Sequence, residues 1–278
     1  MMAIVLLLGA AGKDQELKSV PKELALLKQR LIQSHLSYLQ IEYEPYLTLS
    51  SLSELLQRCA NQIEILHFAG HSNPSQILTN DEDLYSYQIA TIIKTWKNKP
   101  KIIFLNGCEN ADQVEAFLNA GVKCVIATHK PISDKLASVF ADSFYSNLLS
   151  NPHSVNCQQA FDRAGAIALL NQNNKLANTL DLKNLPDASS QFWDWGLFSH
   201  DTTWLHTWTV EQLMPKSIEI KNQDTQSKAF LLIGGVLLFV IVVLVLIIIF
   251  IPSQSIIHGN NGTIIKDIDS ININNNKQ

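Results

Sequence analysis

Residues 229–251 form a run without a single charged side chain, and this run limits what the chain can fold into more than any other feature. All of its residues are apolar except Gly234 and Gly235. At about 1.5 Å per residue, a helix of this length would span about 34 Å, enough to cross a hydrocarbon core of about 30 Å. A buried helix this long would normally carry a polar stripe, which is missing here. The run therefore predicts one transmembrane helix, which Pro252 ends.

The lysines around the apolar run indicate its orientation in the membrane. Three lysines precede the run and one follows it within reach, namely Lys216, Lys221 and Lys228 before it and Lys266 after it. Because positive residues favour the cytoplasmic side, we predict a single-pass inner-membrane protein with residues 1–228 in the cytoplasm. Residues 1–12 are apolar but lack the basic start of a signal peptide, so we predict a buried strand there.

Composition divides the chain into four segments. We predict a globular domain over residues 1–210, a polar linker over 211–228, the transmembrane helix over 229–251 and a polar tail over 252–278. In the tail, isoleucines are interleaved with Asn and Gly, which is typical of β-solenoid rungs that stack with copies of themselves. We therefore expect self-association through the helix and the tail.

The charge balance and the cysteines exclude several classes of protein. The chain has 21 basic and 25 acidic side chains, so it lacks the basic surface of a nucleic-acid-binding domain. Hydrophobic residues make up 46% of the chain, which excludes wholesale disorder. The four cysteines, Cys59, Cys108, Cys124 and Cys157, have no paired spacing, and in a cytoplasmic domain we expect them to be reduced thiols.

Short apolar runs alternate with helix-like segments along the predicted globular domain. Runs typical of buried strands lie at Ile4–Leu8, Ile63–Phe68, Ile102–Leu105 and Val122–Thr128, and the segment Ile41–Leu47 is β-like. Helical patterns lie at residues 21–40, 50–60, 86–97, 111–120, 133–149 and 155–170. Strands that alternate with helices predict an α/β fold with a mainly parallel sheet.

Residues 192–208 contain four of the five tryptophans, which are Trp193, Trp195, Trp204 and Trp208. Two interpretations stay open for this segment. It is either a closing strand that packs aromatic rings on the sheet, or an aromatic patch that faces a substrate or the membrane.

Two of the predicted strands end in residues that could carry chemistry. One leads into His71-Ser72 and the other into Gly107-Cys108. Because the carboxyl ends of parallel strands open on a common crevice, we expect His71 and Cys108 to meet there. A thiolate is a nucleophile, and a nearby imidazole stabilises it and later protonates the leaving group. The backbone N–H groups of Cys108 and Ser72 could stabilise the oxyanion of an acyl transfer.

At these residues the sequence resembles the CHAT family of caspase- and separase-like cysteine peptidases. The shared marks are an apolar strand that ends in His-x-x-Gly-His and a second strand that ends in a small residue, a cysteine and an acid. The resemblance continues in Asn119–Ala127, Pro131–Asp134 and Phe140–Tyr145, and it covers residues 3–205. It implies a caspase-like three-layer sandwich and a cysteine endopeptidase with His71 and Cys108 as its catalytic dyad.

His67 agrees with the family motif, whereas Ser72 departs from it. His67 matches the first histidine of the motif, which is usually structural in the family. The family usually has Gly after the catalytic histidine, where this chain has Ser72. Ser72 keeps a backbone N–H but could not adopt a conformation reserved for Gly. The oxyanion site is therefore the place where this chain departs from the family.

One acidic residue near the predicted crevice bears on substrate choice. In separase-like relatives an acid in a similar motif binds the basic residue before the scissile bond, and the resemblance assigns this substrate-binding role to Asp134. Cleavage after Arg or Lys is then expected, because a carboxylate pairs well with a guanidinium group. Asp134, or Ser133 before it, could instead cap the helix that follows. Glu109 and Asp112 are further acidic candidates.

Metal-binding and phosphate-binding interpretations find little support. His67 and His71 are four residues apart, but a metal pair at this spacing needs a helix, and the strand-like run with Gly70 predicts none. The segment Gly9–Lys13 is too short for a phosphate-binding loop, and Asp14 stands where such a loop has Ser or Thr. We therefore expect neither a metal nor a cofactor.

The resemblance also implies a biological setting. Prokaryotic domains of this kind act in defence and cell-death systems by cleaving a protein partner, and one class of partner is a gasdermin-like pore former. A membrane tether would concentrate the protease where such a substrate works. The alternative is a catalytically inactive caspase-like sensor or scaffold whose transmembrane segment oligomerises as the effector, since Gly234 and Gly235 allow close approach of helices.

Overall fold

The structure, a computed structural model, describes residues 2–10, 19–172 and 194–215. The chain divides into two units, Met1–Ile220 and Lys221–Gln278, and the described residues all belong to the first unit. The predicted transmembrane helix and tail, most of the predicted linker, and Trp193 lie outside the described residues. Within the described part of the chain, no helix is both long enough and apolar enough to cross a bilayer.

A mainly parallel sheet forms the centre of the first unit. The strands are β1 (Ala3–Ala10), β2 (Leu39–Glu44), β3 (Ile63–Gly70), β4 (Gln76–Leu78), β5 (Asp83–Tyr85), β6 (Ile102–Asn106), β7 (Cys124–Thr128) and β8 (Trp195–Phe198). The central sheet has the order β2-β1-β3-β6-β7-β8, and all neighbours in it are parallel except β7 and β8. The predicted α/β fold with a mainly parallel sheet is confirmed.

Helices connect the strands, as the alternating pattern predicts. They are α1 (Ser19–Gln33), α2 (Leu49–Arg58), α3 (Ser86–Thr95), α4 (Val114–Asn119), α5 (Asp134–Ser150), α6 (Cys157–Gln172) and α7 (Thr202–Thr207). Three of them begin with a side-chain cap, Thr48 for α2, Ser133 for α5 and Asp201 for α7. Each satisfies a backbone N–H that would otherwise lack a partner at the helix start.

Helices cover both faces of the sheet. Every residue of β1 is buried, and its side chains point alternately to opposite faces. Val5 and Leu7 pack in a core with residues of α1, α5 and α6, whereas Leu6 and Leu8 pack in a second core with residues of α2, α3 and α4. The result is a three-layer arrangement of helices, sheet and helices.

The prediction of a helix over residues 21–40 is wrong at its C-terminal end, because α1 stops at Gln33. His35 has a left-handed backbone with φ of 55°, and the hydroxyl of Ser34 donates to the carbonyl of Leu31. Both features turn the chain out of the helix. Leu39, whose spacing suggests a longer helix, is the first residue of β2.

Strands β4 and β5 form a separate antiparallel hairpin that the sequence analysis does not predict. Each strand has three residues, and only Ile77 and Leu84 among them are buried. Alternation between buried and exposed residues over so short a length is too weak a signal to recognise. The first strand of the hairpin begins four residues after Ser72.

The tryptophan segment closes the sheet rather than forming an exposed patch. Trp195 begins β8, is 2% exposed and stacks on Phe140 with ring centroids 4.1 Å apart. Trp208 is 1% exposed, and Trp204 stacks against it at 5.0 Å. The interpretation as a closing strand fits Trp195, whereas Trp204 and Trp208 pack against the same core from α7 and the residue after it.

Candidate active site

Strands β3 and β6 are direct neighbours, and this pairing brings His71 and Cys108 to the same edge of the sheet. The two strands are parallel, with Ala69 paired to Asn106 at their carboxyl ends. His71 follows the last residue of β3, and Cys108 lies two residues after the end of β6. Both side chains line one cleft of about 160 Å³.

Two glycines allow the strand ends to approach so closely. Gly70 has φ of +154°, and a Cβ at this position would overlap the carbonyl oxygen of Ala10 on β1. A Cβ on Gly107 would overlap the hydroxyl of Ser72 and lie 2.7 Å from the carbonyl oxygen of Gly70. The residue before His71 and the residue before Cys108 must therefore both lack a side chain.

The thiol and the imidazole share the cleft without a direct hydrogen bond. Cys108 is partly exposed, and its thiol lies 3.7 Å from the carbonyl oxygen of Ile132. The Nε2 atom of His71 is buried and has no hydrogen-bond partner among the described residues. A buried polar nitrogen without a partner is unusual and often marks a catalytic role. Because Nε2 of His71 has no such partner in the described part of the chain, it is available to a group that enters the cleft.

Ser72 lies beside the loop that contains Cys108 rather than among the residues that line the cleft. Its hydroxyl donates a hydrogen bond of 2.8 Å to the carbonyl oxygen of Cys108. Ser72 pairs with Ile77 in an isolated antiparallel bridge, but the two hydrogen bonds there use the carbonyl of His71 and the N–H of Asn73. The N–H of Ser72 is thus not committed to this bridge.

Two carboxylates line the cleft, one predicted and one not. Asp134 is the first residue of α5, and its carboxylate accepts a hydrogen bond of 2.7 Å from the hydroxyl of Ser19. The helix cap is Ser133, whose hydroxyl accepts from the N–H of Leu136, so Asp134 is free of the capping role. Glu23, on α1, is the second carboxylate. The other acidic candidates, Glu109 and Asp112, do not line the cleft.

Glu23 belongs to a buried polar cluster behind the cleft, which also contains His67, Asn106 and Tyr145. Glu23 is 5% exposed, and its Oε1 accepts from the side-chain amide of Asn106 at 2.8 Å and lies 3.3 Å from Nε2 of His67. His67 is completely buried between these groups and the ring of Phe104. Its position agrees with the structural role that the family resemblance implies.

The cluster also affects Tyr145 on α5. Burial, together with the nearby carboxylate of Glu23, raises the pKa of Tyr145.

The indole N–H of Trp195 donates to the side-chain oxygen of Asn106 at 3.4 Å. Asn106, which lies two residues before Cys108, thus connects β8 to Glu23 on α1. The sequence contains one signal for Glu23, an acidic residue beside Leu24 on the apolar face of the predicted helix.

The other three cysteines are all buried. Burial raises the pKa of Cys59, an effect that Arg58 partly opposes. Burial and the neighbouring thiol of Cys157 raise the pKa of Cys124, and the two sulfur atoms are 3.9 Å apart. Cys108 is therefore the one partly exposed thiol among the four cysteines of the chain.

A metal site is not apparent in the described part of the chain, where no three His, Cys, Asp or Glu side chains are grouped to hold an ion. His67 and His71 do not form a metal pair, because β3 extends from Ile63 to Gly70 and His67 is enclosed in the buried cluster.

Comparison with known proteins gives a family and a fold. The CHAT domain family matches residues 4–203, whereas no curated protein matches the chain. Among solved structures, the Arg-specific cysteine proteinase gingipain R superimposes with a TM-score of 0.50 and 16% identity over 75% of this chain and 48% of its own. The chain thus matches about half the length of that proteinase, with which it shares a fold.

Two caspase structures are similar at lower scores. The Drosophila initiator caspase Dronc gives a TM-score of 0.43 at 12% identity, over 71% of this chain and 79% of its own. Pro-sf-caspase-1 gives 0.46 at 11% identity, over 71% and 87%. The family match covers well over half of the 278 residues and includes both His71 and Cys108. The chain belongs to the CHAT domain family.

Proposed function

We propose that the chain is a cysteine endopeptidase in which Cys108 is the nucleophile and His71 is the general acid and base. The observation that carries this proposal is the cleft that both side chains line at adjacent strand ends. Membership of the CHAT domain family and the fold shared with a cysteine proteinase support it. The partial exposure of Cys108 gives a peptide access to the sulfur.

The proposed reaction has two halves. His71 accepts the thiol proton, and the sulfur of Cys108 bonds to the carbonyl carbon of the scissile peptide while the π electron pair moves to oxygen. The C–N bond then breaks, and the amine leaves with the proton from His71. In the second half, water gives a proton to His71 and attacks the thioester, which releases the acid and restores the thiol.

The oxyanion formed in both halves would bind to the N–H groups of Cys108 and Ser72. Two such donors stabilise the negative oxygen more in the transition state than in the substrate. Ser72 is not among the residues with positive φ, so its backbone does not need the conformational freedom of Gly. The departure from the usual family motif therefore does not by itself prevent an oxyanion site.

We propose that the enzyme cleaves after a basic residue. The cleft is lined by the carboxylates of Glu23 and Asp134, and the described residues that line it include no Lys or Arg. A guanidinium or ammonium group would pair with these carboxylates. Asp134 is the better placed of the two, because it is exposed and its hydrogen bond with the hydroxyl of Ser19 is exposed too, whereas Glu23 is buried and bonds to the buried amide of Asn106.

The membrane location, the substrate and the biological response are also proposals. The apolar run of residues 229–251 would tether the protease to the inner membrane with its catalytic domain in the cytoplasm. The substrate would be a protein partner that acts on the same membrane, such as a gasdermin-like pore former, in a defence or cell-death response. Tethering raises the local concentration of such a substrate around the protease.

The experiment for the catalytic proposal compares the full-length chain in detergent with the variants Cys108→Ala and His71→Ala. The substrates are peptide libraries that contain Arg, Lys or Asp at a single variable position. We expect cleavage after Arg or Lys by the unmodified chain and none by either variant. Cys59→Ala and His153→Ala serve as matched controls, because Cys59 is buried away from the cleft and His153 pairs with Glu211 elsewhere.

Cleavage that persists in Cys108→Ala would contradict the proposed nucleophile. Absence of any Cys108-dependent cleavage, also with candidate partner proteins present, would favour the inactive scaffold instead. The membrane proposal has its own test, in which cells express the chain with a candidate pore former and take up a membrane-impermeant dye. Dye uptake should require both Cys108 and residues 229–251.

A further inference from the structure

A buried asparagine, Asn110, connects the loop of the nucleophile to the ends of two neighbouring strands. Asn110 is 1% exposed, and its side-chain oxygen accepts a hydrogen bond of 2.7 Å from the N–H of Thr128, the last residue of β7. Its side-chain NH₂ donates to the carbonyl of Leu105 at 3.2 Å and to the hydroxyl of Ser72 at 3.3 Å. One amide therefore ties β6, β7 and the end of β3 together.

The two hydroxyl residues that Asn110 contacts each hold one peptide group of the nucleophile. Thr128 donates its single hydroxyl hydrogen to the carbonyl of Gly107 at 2.5 Å, which is shorter than its 3.2 Å contact with Asn110. Ser72 donates to the carbonyl of Cys108 at 2.8 Å. Gly107–Cys108 and Cys108–Glu109 are the two peptide groups that flank the Cα of Cys108.

Fixing these carbonyls also fixes the N–H groups at the nucleophile. A trans peptide group is planar, and its C=O and N–H point in opposite directions. When Thr128 holds the carbonyl of Gly107, the N–H of Cys108 must therefore point away from Thr128. With both flanking peptide planes held, the backbone angles of Cys108 are set, and so is the direction of its N–H.

The backbone next to Cys108 is in a conformation that needs such support. Glu109 is exposed and has φ of 49°, in the left-handed region that a glutamate rarely adopts. Such a conformation is strained and persists only where the surroundings impose it. Asn110, the next residue, is the anchor that holds the chain there.

We propose that Asn110 is a positioning residue that orients the N–H of Cys108 for oxyanion binding, acting through Ser72 and Thr128. This inference rests on the proposed peptidase function and deepens it. It also gives the hydroxyl of Ser72 a role that the glycine usual in the family could not perform, because glycine has no side chain to hold the carbonyl of Cys108. The side chains of Asn110, Ser72 and Thr128 take part in orientation and make no contact with substrate.

The test separates oxyanion binding from the reactivity of the thiol. A peptide aldehyde adds reversibly to Cys108, so that its carbonyl electron pair moves to an oxygen in the oxyanion position. Iodoacetamide alkylates the same sulfur with loss of iodide and develops no oxyanion. We compare Asn110→Ala, Ser72→Ala and Thr128→Val with the unmodified full-length chain in both assays and in peptide cleavage.

In each of the three variants we expect kcat to fall by about 10- to 100-fold while KM changes by less than about twofold. The inhibition constant of the aldehyde should rise in parallel with the loss in kcat, whereas the rate of alkylation should stay close to that of the unmodified chain. Asn119→Ala is the matched control, because Asn119 is exposed on α4 and its amide contacts only Glu115. This variant should retain kcat and aldehyde affinity.

Each outcome bears on the inference. Folded variants that keep kcat and aldehyde affinity would overturn it, and so would an equal loss of alkylation, because that would mean a general disturbance of the thiol. If Asn110→Ala does not fold, Ser72→Ala decides, since Ser72 is partly exposed and loses only a hydroxyl. An unmodified chain that neither cleaves nor binds the aldehyde would instead refute the proposed function, and the inference with it.

Discussion

Glu23 on the first helix accepts a hydrogen bond from the side chain of Asn106, which lies 83 residues further along the chain at the end of β6. This contact fixes a carboxylate against the strand that leads to Cys108. The same oxygen of Glu23 lies within 3.3 Å of His67, so one acidic group connects α1, β3 and β6 beneath the cleft. Residues of α1, β3 and β6 therefore together form the floor of the cleft.

Replacing Glu23 with glutamine should lower the stability of the domain. A buried hydrogen bond to a charged group contributes about 1.5–3 kcal/mol, and Glu23→Gln keeps the size of the side chain but removes its charge. We expect a lower midpoint of thermal unfolding, measured by circular dichroism on the full-length chain. Glu54→Gln, on the exposed face of α2, is the matched control. Equal midpoints for both variants would contradict the stabilising role of Glu23.

Replacing Asp134 with asparagine should change substrate choice more than general activity. Loss of a charged partner for a guanidinium group should lower kcat/KM for an Arg-containing peptide by about 10- to 100-fold. Activity on a slowly cleaved peptide with a neutral residue at that position should change little. Asp112→Asn is the control, because Asp112 is exposed and does not line the cleft. A uniform loss on all peptides would show that Asp134 acts on structure instead.

Alkylation of the native protein should occur at a single cysteine. The pKa values of Cys59 and Cys124 are raised by burial, so these thiols stay protonated, and Cys157 is buried with Cys124. We expect one iodoacetamide label per chain at Cys108, found by intact mass and peptide mapping. All four cysteines should react after unfolding in guanidinium chloride. Comparable labelling of Cys59 in the native protein would be inconsistent with the burial described above.

An alanine at position 70 should be poorly tolerated. In Gly70→Ala, the new Cβ would meet the backbone of Ala10 at a φ that disfavours side chains, with a cost of about 3 kcal/mol or more. That corresponds to a fall on the order of 6–12 °C in the unfolding midpoint. Gly121→Ala provides the comparison, because its positive φ adds strain but its Cβ would meet only the flexible side chain of Lys99. A Gly70→Ala midpoint no lower than that of Gly121→Ala would exclude the clash.

Glu64 on β3 should make stability depend on pH. Burial raises the pKa of Glu64 above its ordinary value of 4.5, and Lys101 only partly opposes this effect. The folded state therefore favours the protonated carboxyl, and this stabilisation is lost as pH rises through the raised pKa. Glu64→Gln should raise the unfolding midpoint by a few degrees at pH 8 and leave it almost unchanged at pH 4. The opposite trend would mean that the ion pair with Lys101 outweighs burial.

Much of the fold could be predicted from the sequence because strands covered on both faces have continuous apolar runs. β1, buried over its whole length, is the clearest case. The errors arise where a local pattern continues by chance, as with Leu39, whose helical spacing ends in a strand. They also arise where an element is too short to have a pattern, as with β4 and β5.

The candidate site was predictable only in part, for a physical reason. His71 and Cys108 follow strand ends, and strand ends can be located from local sequence. Glu23, Asn110 and Thr128 act through partners that lie far along the chain or across the sheet, such as the Asn106 amide for Glu23. From the sequence alone, a polar residue that is buried and hydrogen-bonded cannot be distinguished from one that is exposed in a loop.

The network around Cys108 also determines when the proposed active site is complete during synthesis of the chain. Ser72, Cys108 and Asn110 leave the ribosome before Thr128, which β7 contributes, and Asp134 follows later still. A nascent chain thus contains the sulfur of Cys108 before Thr128 can donate the hydrogen bond that holds the carbonyl of Gly107. Under the proposed function, translation would therefore delay the onset of proteolysis until most of the domain has been synthesised.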